Sequence, residues 1–182
     1  RLITAFIHSL EAKDHYTQGH SARVAEYCVE IGQQMNFSPR RLRLLRQGAL
    51  LHDIGKIGVS DSILNKPDKL NAEESQAIQA HPVTGTNILN DVGLAPEVLE
   101  MVHGHHERYD GKGYPDGVRS EELSLMTRIL CVADAYDAMT SDRPYRKGLP
   151  REEAVRRLLE NAGTQFDPEV VQAFVAAERA KQ

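Results

Sequence analysis

The stretch Leu50-Leu51-His52-Asp53-Ile54-Gly55-Lys56-Ile57-Gly58 decides how the rest of the chain is read. An apolar helical pattern runs into a histidine and an aspartate, then breaks at two glycines. Counting back, Leu42, Leu45, Ala49 and His52 fall at helical offsets 0, 3, 7 and 10, so His52 points where the leucines point, into the interior. Asp53 lies at the same helix end. A buried ionised carboxylate is costly unless a positive group meets it. Standing alone, the pair would read as a hydrogen-bonded core histidine, because short motif matches are often accidental. The flanking sequence repeats the pattern.

Upstream, Leu2, Phe6 and Leu10 mark a first helix, and Gly19 breaks it. A second helix carries Val24, Tyr27, Cys28 and Ile31, with His20 one turn before Val24 on the same face. Ser38 and Pro39 open the helix that ends at His52. Downstream, the glycines, Asn65, Pro67 and Asp68 give residues 55–70 the character of an ordered loop. Asn71 then caps a short helix that runs up to His81-Pro82, where proline is expected to end it. Pro96 starts a helix in which Val98, Met101, Val102 and His105 share a face, and His106 and Glu107 follow. The stretch from Arg108 to Gly117 holds too many glycines and prolines for regular structure; directly after two histidines it suits the wall of a site. Met126, Leu130 and Asp134 step by four along the next helix, with Asp137 one turn on. Helices from Pro150 and from Asp167-Pro168 read as scaffold.

Composition bounds the answer. The chain of 182 residues suits one domain, lacks tryptophan and is rich in helix formers, which points to an all-α fold. A net charge of −4 argues against a protein that coats DNA or RNA, so an anionic ligand must be met by local charge. Cys28 and Cys131 sit in apolar patterns without pairing motifs, which suits a reducing, cytoplasmic setting. No apolar run approaches membrane-spanning length, so no membrane contact is expected of this segment. The chain opens at Arg1 already in helical rhythm, as a domain cut from a longer protein would.

His20, His52, Asp53, His81, His105, His106 and Asp134 thus fall on inward faces, each read as lying at a helix end. A neutral core would have to find separate partners for all of them, whereas bound cations satisfy them together. Imidazole and carboxylate without thiolate point to Fe, Mn, Ni, Co or Zn. Seven donors exceed what one tetrahedral zinc needs and fit two adjacent ions sharing a carboxylate. Two such ions, roughly 3.5–4 Å apart, clamp oxygens at phosphorus and lower the pKa of a shared water. The implied reaction is phosphate-ester hydrolysis, with Lys56 placed to hold a phosphoryl oxygen or, more plainly, to sit in solvent.

His52-Asp53-Ile54-Gly55-Lys56, His81-Pro82, His105-His106-Glu107, Asp110-Gly111-Lys112-Gly113-Tyr114-Pro115, Asp134 to Asp137 and Arg143-Pro144-Tyr145-Arg146 together resemble the HD-GYP domain. This is a bacterial subfamily of the HD metal-dependent phosphohydrolases, and the likeness spans nearly the whole chain. The resemblance implies a single multi-helix domain over residues 1–182, with ordered loops around a central metal site. It implies hydrolysis of cyclic di-GMP to linear pGpG, and sometimes on to GMP, by a hydroxide bridging two divalent ions, Fe or Mn above the others. Carried over, His20, His52, Asp53 and Asp134 hold one ion, and Asp53, His81, His105 and His106 the other. Lys56 contacts the scissile phosphate, Gly113 and Tyr114 line the pocket, and Arg143 and Arg146 meet phosphates or guanine edges. Asp14 orients substrate, or is an exposed carboxylate of the first helix, while Glu107 and Asp137 brace ligand imidazoles from behind. Some family members hold a third ion through a glutamate four residues before the first metal histidine. Here Tyr16 stands there, so two ions and a pGpG product are expected. An upstream sensory or receiver region and a homodimer are the implied partners. The rival readings are a phosphohydrolase for another cyclic dinucleotide and a receptor that binds cyclic di-GMP without turnover.

Overall fold

The computed structural model describes Lys13 and residues 19–142 and 147–181. Among these residues the regular structure is helical: α1 His20–Gln34, α2 Pro39–Leu51, α3 Asp61–Leu64, α4 Ala72–Gln79, α5 His81–Leu89, α6 Pro96–Gly104, α7 Leu125–Thr140, α8 Arg151–Glu160 and α9 Pro168–Arg179. Single 3-10 turns cover Ile54–Gly58, Asn90–Val92 and Ser120–Glu122. Among the described residues no strand forms beyond one isolated bridge between Ala162 and Phe166. The first helix expected at Leu2–Leu10 lies outside the described residues.

Local chemistry sets the helix starts. The Ser38 hydroxyl accepts from the Arg41 N–H with Pro39 in the first turn, and Asp167 accepts from the Glu169 N–H ahead of α9. Asn71 and Glu74 form a reciprocal capping box on α4. Two expectations change. Residues 55–70 are not all loop, since a 3-10 turn and α3 occupy much of the stretch. His81-Pro82 does not merely end a helix but opens α5, where a proline in the first turn gives up an N–H that has no helical partner anyway.

Two apolar clusters hold the helices together. The larger joins Val24, Cys28 and Ile31 of α1, Leu45 and Ala49 of α2, Ile129, Leu130 and Tyr136 of α7, and Phe174 of α9. The smaller lies under the end of α2 and contains Leu51, Ile54, Leu89, Val98 and Val102. Leu44 and Leu50 pack against both, so α2 is the shared wall and its C-terminus emerges where the clusters meet. Each fully buried Leu or Ile contributes about 1.5–3 kcal/mol, and that rigidity positions the turn carrying His52 and Asp53. Gly55 completes the placement: a Cβ there would stand 1.8 Å from the His81 carbonyl oxygen, so only glycine lets this turn dock on α5. Among the described residues no helix is long and apolar enough to cross a membrane.

Candidate metal centre

His20 is the first residue of α1, entered through Gly19 with a left-handed φ of 70°. His52 caps the C-terminus of α2, and Asp53 precedes the 3-10 turn that carries Lys56. His81 starts α5, His105 caps the C-terminus of α6, and His106 follows it. Asp134 departs from the expected pattern, because it projects from the middle of α7 rather than from an end. The mid-helix position works because α7 crosses the core under the other donors, so a side chain there reaches them directly.

Three imidazoles are aimed by one device. His52 Nδ1–H donates to the Ala49 carbonyl at 2.6 Å, His81 Nδ1–H to Ile78 at 2.6 Å, and His105 Nδ1–H to Val102 at 2.8 Å. Each acceptor lies three residues back, among the carbonyls that a helix C-terminus leaves without a partner. With Nδ1–H committed, a neutral imidazole carries its lone pair on Nε2, pointing into the site. His20 begins a helix and uses a different acceptor. Its Nδ1 instead donates to Asp137 Oδ2 at 2.7 Å, and Arg23 holds the same carboxylate through Nε at 2.7 Å and Nη2 at 3.0 Å. Asp137 is 1% exposed, so it braces an imidazole as expected. The sequence reading missed Arg23, although it lies one turn beyond His20 on the same helix.

The donors gather into two sets. Asp53, His81, His105 and His106 form one, and His20, His52 and Asp134 the other; within each set one donor atom per residue lies within 4.8 Å of all the others. Asp53 faces both. Its Oδ1 lies 3.3 Å from His81 Nε2 and 3.9 Å from His105 Nε2. Its Oδ2 lies 3.5 Å from His52 Nε2 and 3.8 Å from His20 Nε2. Lys56 Nζ reaches the same Oδ2 at 2.7 Å, so this lysine is paired at the centre rather than solvated.

The electrostatics suit a cation. Burial pushes His52 and His105 below the ordinary imidazole value, and brings His106 down to about 4. Burial works against ionised Asp53, yet Lys56 and the His52 and His81 rings hold it well below the usual carboxylate range. Burial likewise opposes Asp134, and the His20 hydrogen bond overcomes it. His20 is the exception: burial disfavours its charge, but Asp134 and Asp137 raise it to about 10. The donor set therefore fits divalent cations on an observation of its own. His81 and His105 turn Nε2 atoms toward each other at 3.1 Å, and lone pairs at that separation repel unless positive charge lies beside them.

The segment 108–117 is irregular, as expected, and folds back on its own root. The Tyr114 N–H donates to the His106 carbonyl, and the Tyr114 ring stacks on His106 with centroids 4.8 Å apart. Gly113 serves close approach: a Cβ there would meet the backbone of 106–108 at 2.5 Å. Glu107 corrects an expectation. It is 4% exposed, and its Oε1 accepts the N–H groups of Asp116 at 2.7 Å and Gly117 at 3.0 Å, so it braces the loop instead of an imidazole. Cys131 Sγ–H donates to the His105 carbonyl at 3.2 Å, and burial pushes its thiol up to about 12, which fits a structural cysteine. Together these groups enclose a cavity of about 350 Å³ reached by His105, His106, Asp134, Tyr114, Arg108 and Gln165. Gln165 was not foreseen, because it arrives from the turn after α8. Asp14, Tyr16, Arg143 and Arg146 lie outside the described residues.

Known proteins resemble this chain along most of its length. The family model described as HD domain matches residues 5–170. A 3'3'-cGAMP-specific phosphodiesterase of Vibrio cholerae is 45% identical over 179 residues, covering 98% of this chain and 38% of that protein. A cyclic di-GMP phosphodiesterase of Pseudomonas aeruginosa is 43% identical over 169 residues, covering 92% of this chain and 41% of that protein. The chain thus spans less than half the length of these two relatives. In fold, the crystal structure of a cyclic GMP-AMP-specific phosphodiesterase of V. cholerae matches with a TM-score of 0.77 at 19% identity, over 98% of this chain and 48% of that one. With an HD model running through most of its length and the His52–Asp53 pair at its centre, the chain belongs to the HD domain family.

Proposed function

We propose that the chain is a metal-dependent phosphodiesterase that opens cyclic di-GMP to linear pGpG. One observation carries this reading: the two oxygens of Asp53 are divided between the two donor sets, Oδ1 toward His81 and His105, Oδ2 toward His52 and His20. Asp53 with His81, His105 and His106 would hold one divalent cation, and Asp53 with His20, His52 and Asp134 a second, with Fe or Mn favoured. When bound, such a pair supplies Lewis acidity at phosphorus and an acidified water. In the hydrolysis, the oxygen of water bonds to phosphorus, the P–O3′ bond breaks, and the 3′ oxygen leaves as a hydroxyl. Lys56, held at Asp53, is placed to meet a phosphoryl oxygen as its negative charge grows. Tyr114, backed by His106 and fixed by Gly113, forms an aromatic wall of the pocket. Arg143 and Arg146 are assigned to phosphates or guanine edges and Asp14 to substrate orientation, as the family pattern implies. Tyr16 offers no carboxylate for a third ion, so conversion stops mainly at pGpG.

The same reading makes residues 1–182 the phosphodiesterase domain at the C-terminal end of a longer signalling protein, gated by a sensory or receiver region and active as a monomer or homodimer. A second substrate has its own support: the 45% identical V. cholerae relative is named for 3'3'-cGAMP. The test is anaerobic incubation with Fe(II) or Mn(II) and each cyclic dinucleotide, with products separated by chromatography. Faster release of linear product from cyclic di-GMP supports the first substrate, and faster opening of 3'3'-cGAMP moves the assignment to the second. A metal-loaded protein that opens neither overturns the proposal.

A further inference from the structure

We infer that Gln165 reads the base of the nucleotide half that enters the cavity beside the metal centre; the inference rests on the cyclic-dinucleotide reading above and deepens it. The cavity is lined by His105, His106 and Asp134 of the metal centre together with Arg108, Lys112 and Gln165. At about 350 Å³ it lies at the small end of ligand pockets, which run from about 300 to 1,000 Å³. That is room for one base and its sugar, so a cyclic dinucleotide with its phosphate at the metal centre would place one half inside.

Gln165 is fixed for such a task. Its N–H donates to the Asn161 carbonyl at 3.0 Å, and its own carbonyl accepts from the Tyr109 N–H at 3.1 Å. The adjoining Thr164 carbonyl accepts from the Asp110 N–H at 2.8 Å, so the turn after α8 and the loop after His106 are joined backbone to backbone. Phe166, the next residue, is 5% exposed, joins the core and lines the cavity beside Gln165. Gln165 is half-buried, and its side-chain amide makes no hydrogen bond to the protein among the described residues. Beside it, Asp110 grips the Arg108 guanidinium through Nε at 3.0 Å and Nη2 at 2.9 Å and so fixes the plane of that cation. An amide with both donor and acceptor on a fixed backbone matches adenine through N6 and a ring nitrogen, and by turning over it matches guanine through O6 and N1–H. An amide at this position therefore tolerates either purine, and a group with only one hydrogen-bonding role would not.

The test is Q165E, which keeps the shape and leaves only acceptors. A carboxylate suits the N1–H and N2–H donors of guanine and repels the ring nitrogens of adenine. The expected result is a rise of about tenfold or more in the ratio of kcat/KM for cyclic di-GMP over cyclic di-AMP, the two substrates that present the same base from either half. Q165L, with neither donor nor acceptor, should lower kcat/KM for both, and T164A, one residue away, should leave the ratio at its parent value. Because the ratio is internal to each preparation, partial loss of folded enzyme cancels from it. A Q165E ratio within twofold of the parent overturns the inference while the phosphodiesterase reading stands. A parent protein that is metal-loaded and opens no cyclic dinucleotide overturns both.

Discussion

His20 is backed by a carboxylate, whereas His81 and His105 are backed by backbone carbonyls. The His20 set holds a histidine raised to about 10 between Asp134 and Asp137; the His105 set holds His106 lowered to about 4 by burial. Both arrangements follow from helix geometry. A histidine that caps a C-terminus finds an acceptor in the orphan carbonyl three residues back, and a neutral acceptor leaves the ring neutral. His20 takes its acceptor from another helix, the buried Asp137 of α7, which stabilises an imidazolium. A cation entering the His20 set should therefore displace the His20 proton, whereas burial already disfavours a proton on His105 and His106.

Asp53→Ala breaks the comparison outright, because it takes a donor from both sets. It should remove cation binding at both and lower turnover by more than about 100-fold, the upper range for residues that merely support a ligand. Metal content and product formation, measured together, check it; a variant that keeps two ions and its turnover would refute the shared carboxylate. Asp137→Asn should act on one side only. Cation affinity of the His20 set should weaken by about 10- to 100-fold while that of the His105 set holds, which titration calorimetry resolves as two sites.

The pH dependence of the metal-stripped protein sharpens the contrast. His106 has a folded-state value below its ordinary one, so the unfolded chain binds more protons and stability is lost as pH falls from about 6.5 toward about 4. His20 has the opposite sign: its stabilisation is full below about 6.5 and is lost as pH rises toward about 10. Thermal midpoints across pH should fall on both sides of a maximum near neutrality. Asp137→Asn should flatten the alkaline limb and spare the acid one. An unchanged alkaline limb would mean that Asp137 does not hold the proton on His20.

Much of this was legible because it is local. Ser38, Asn71 and Asp167 announced their helices through short-range capping, and the inward faces of His20, His52 and His105 followed from helical spacing. What stayed hidden depends on groups far apart in sequence. Arg23 meets Asp137 across 114 residues, and Gln165 reaches the cavity only through the joined turn. His81-Pro82 is ambiguous in sequence because proline ends one helix and starts another equally well. Glu107 misled for a subtler reason. A carboxylate beside two histidines looks like their brace, but backbone N–H groups from a folded-back loop reach it instead. Glu107→Ala tests this, and it should raise hydrogen exchange at Asp116 and Gly117 by about 10-fold or more, in line with loss of charge-assisted bonds. Exchange confined to the imidazole-bearing turn would restore the original assignment.

The smallest expected effect probes how far the carbonyl-anchored set depends on its helices. Asn71 caps α4, and the far end of that helix supplies the Ile78 carbonyl that aims His81. Asn71→Ala removes the reciprocal box at a cost of about 1 kcal/mol, which in a chain of this size lowers Tm by about 2–4 °C. The loss falls on the first turn, while Ile78 and Ala80 remain tied to the turn preceding them, so His81 should keep its aim. Cation affinity of the His105 set and turnover should then match the parent despite the lower Tm. If affinity falls along with Tm, the orphan carbonyls hold the imidazoles only as firmly as the whole helix is held. The two sets would then differ in mechanical stiffness as well as in charge, with the carboxylate-braced His20 the stiffer.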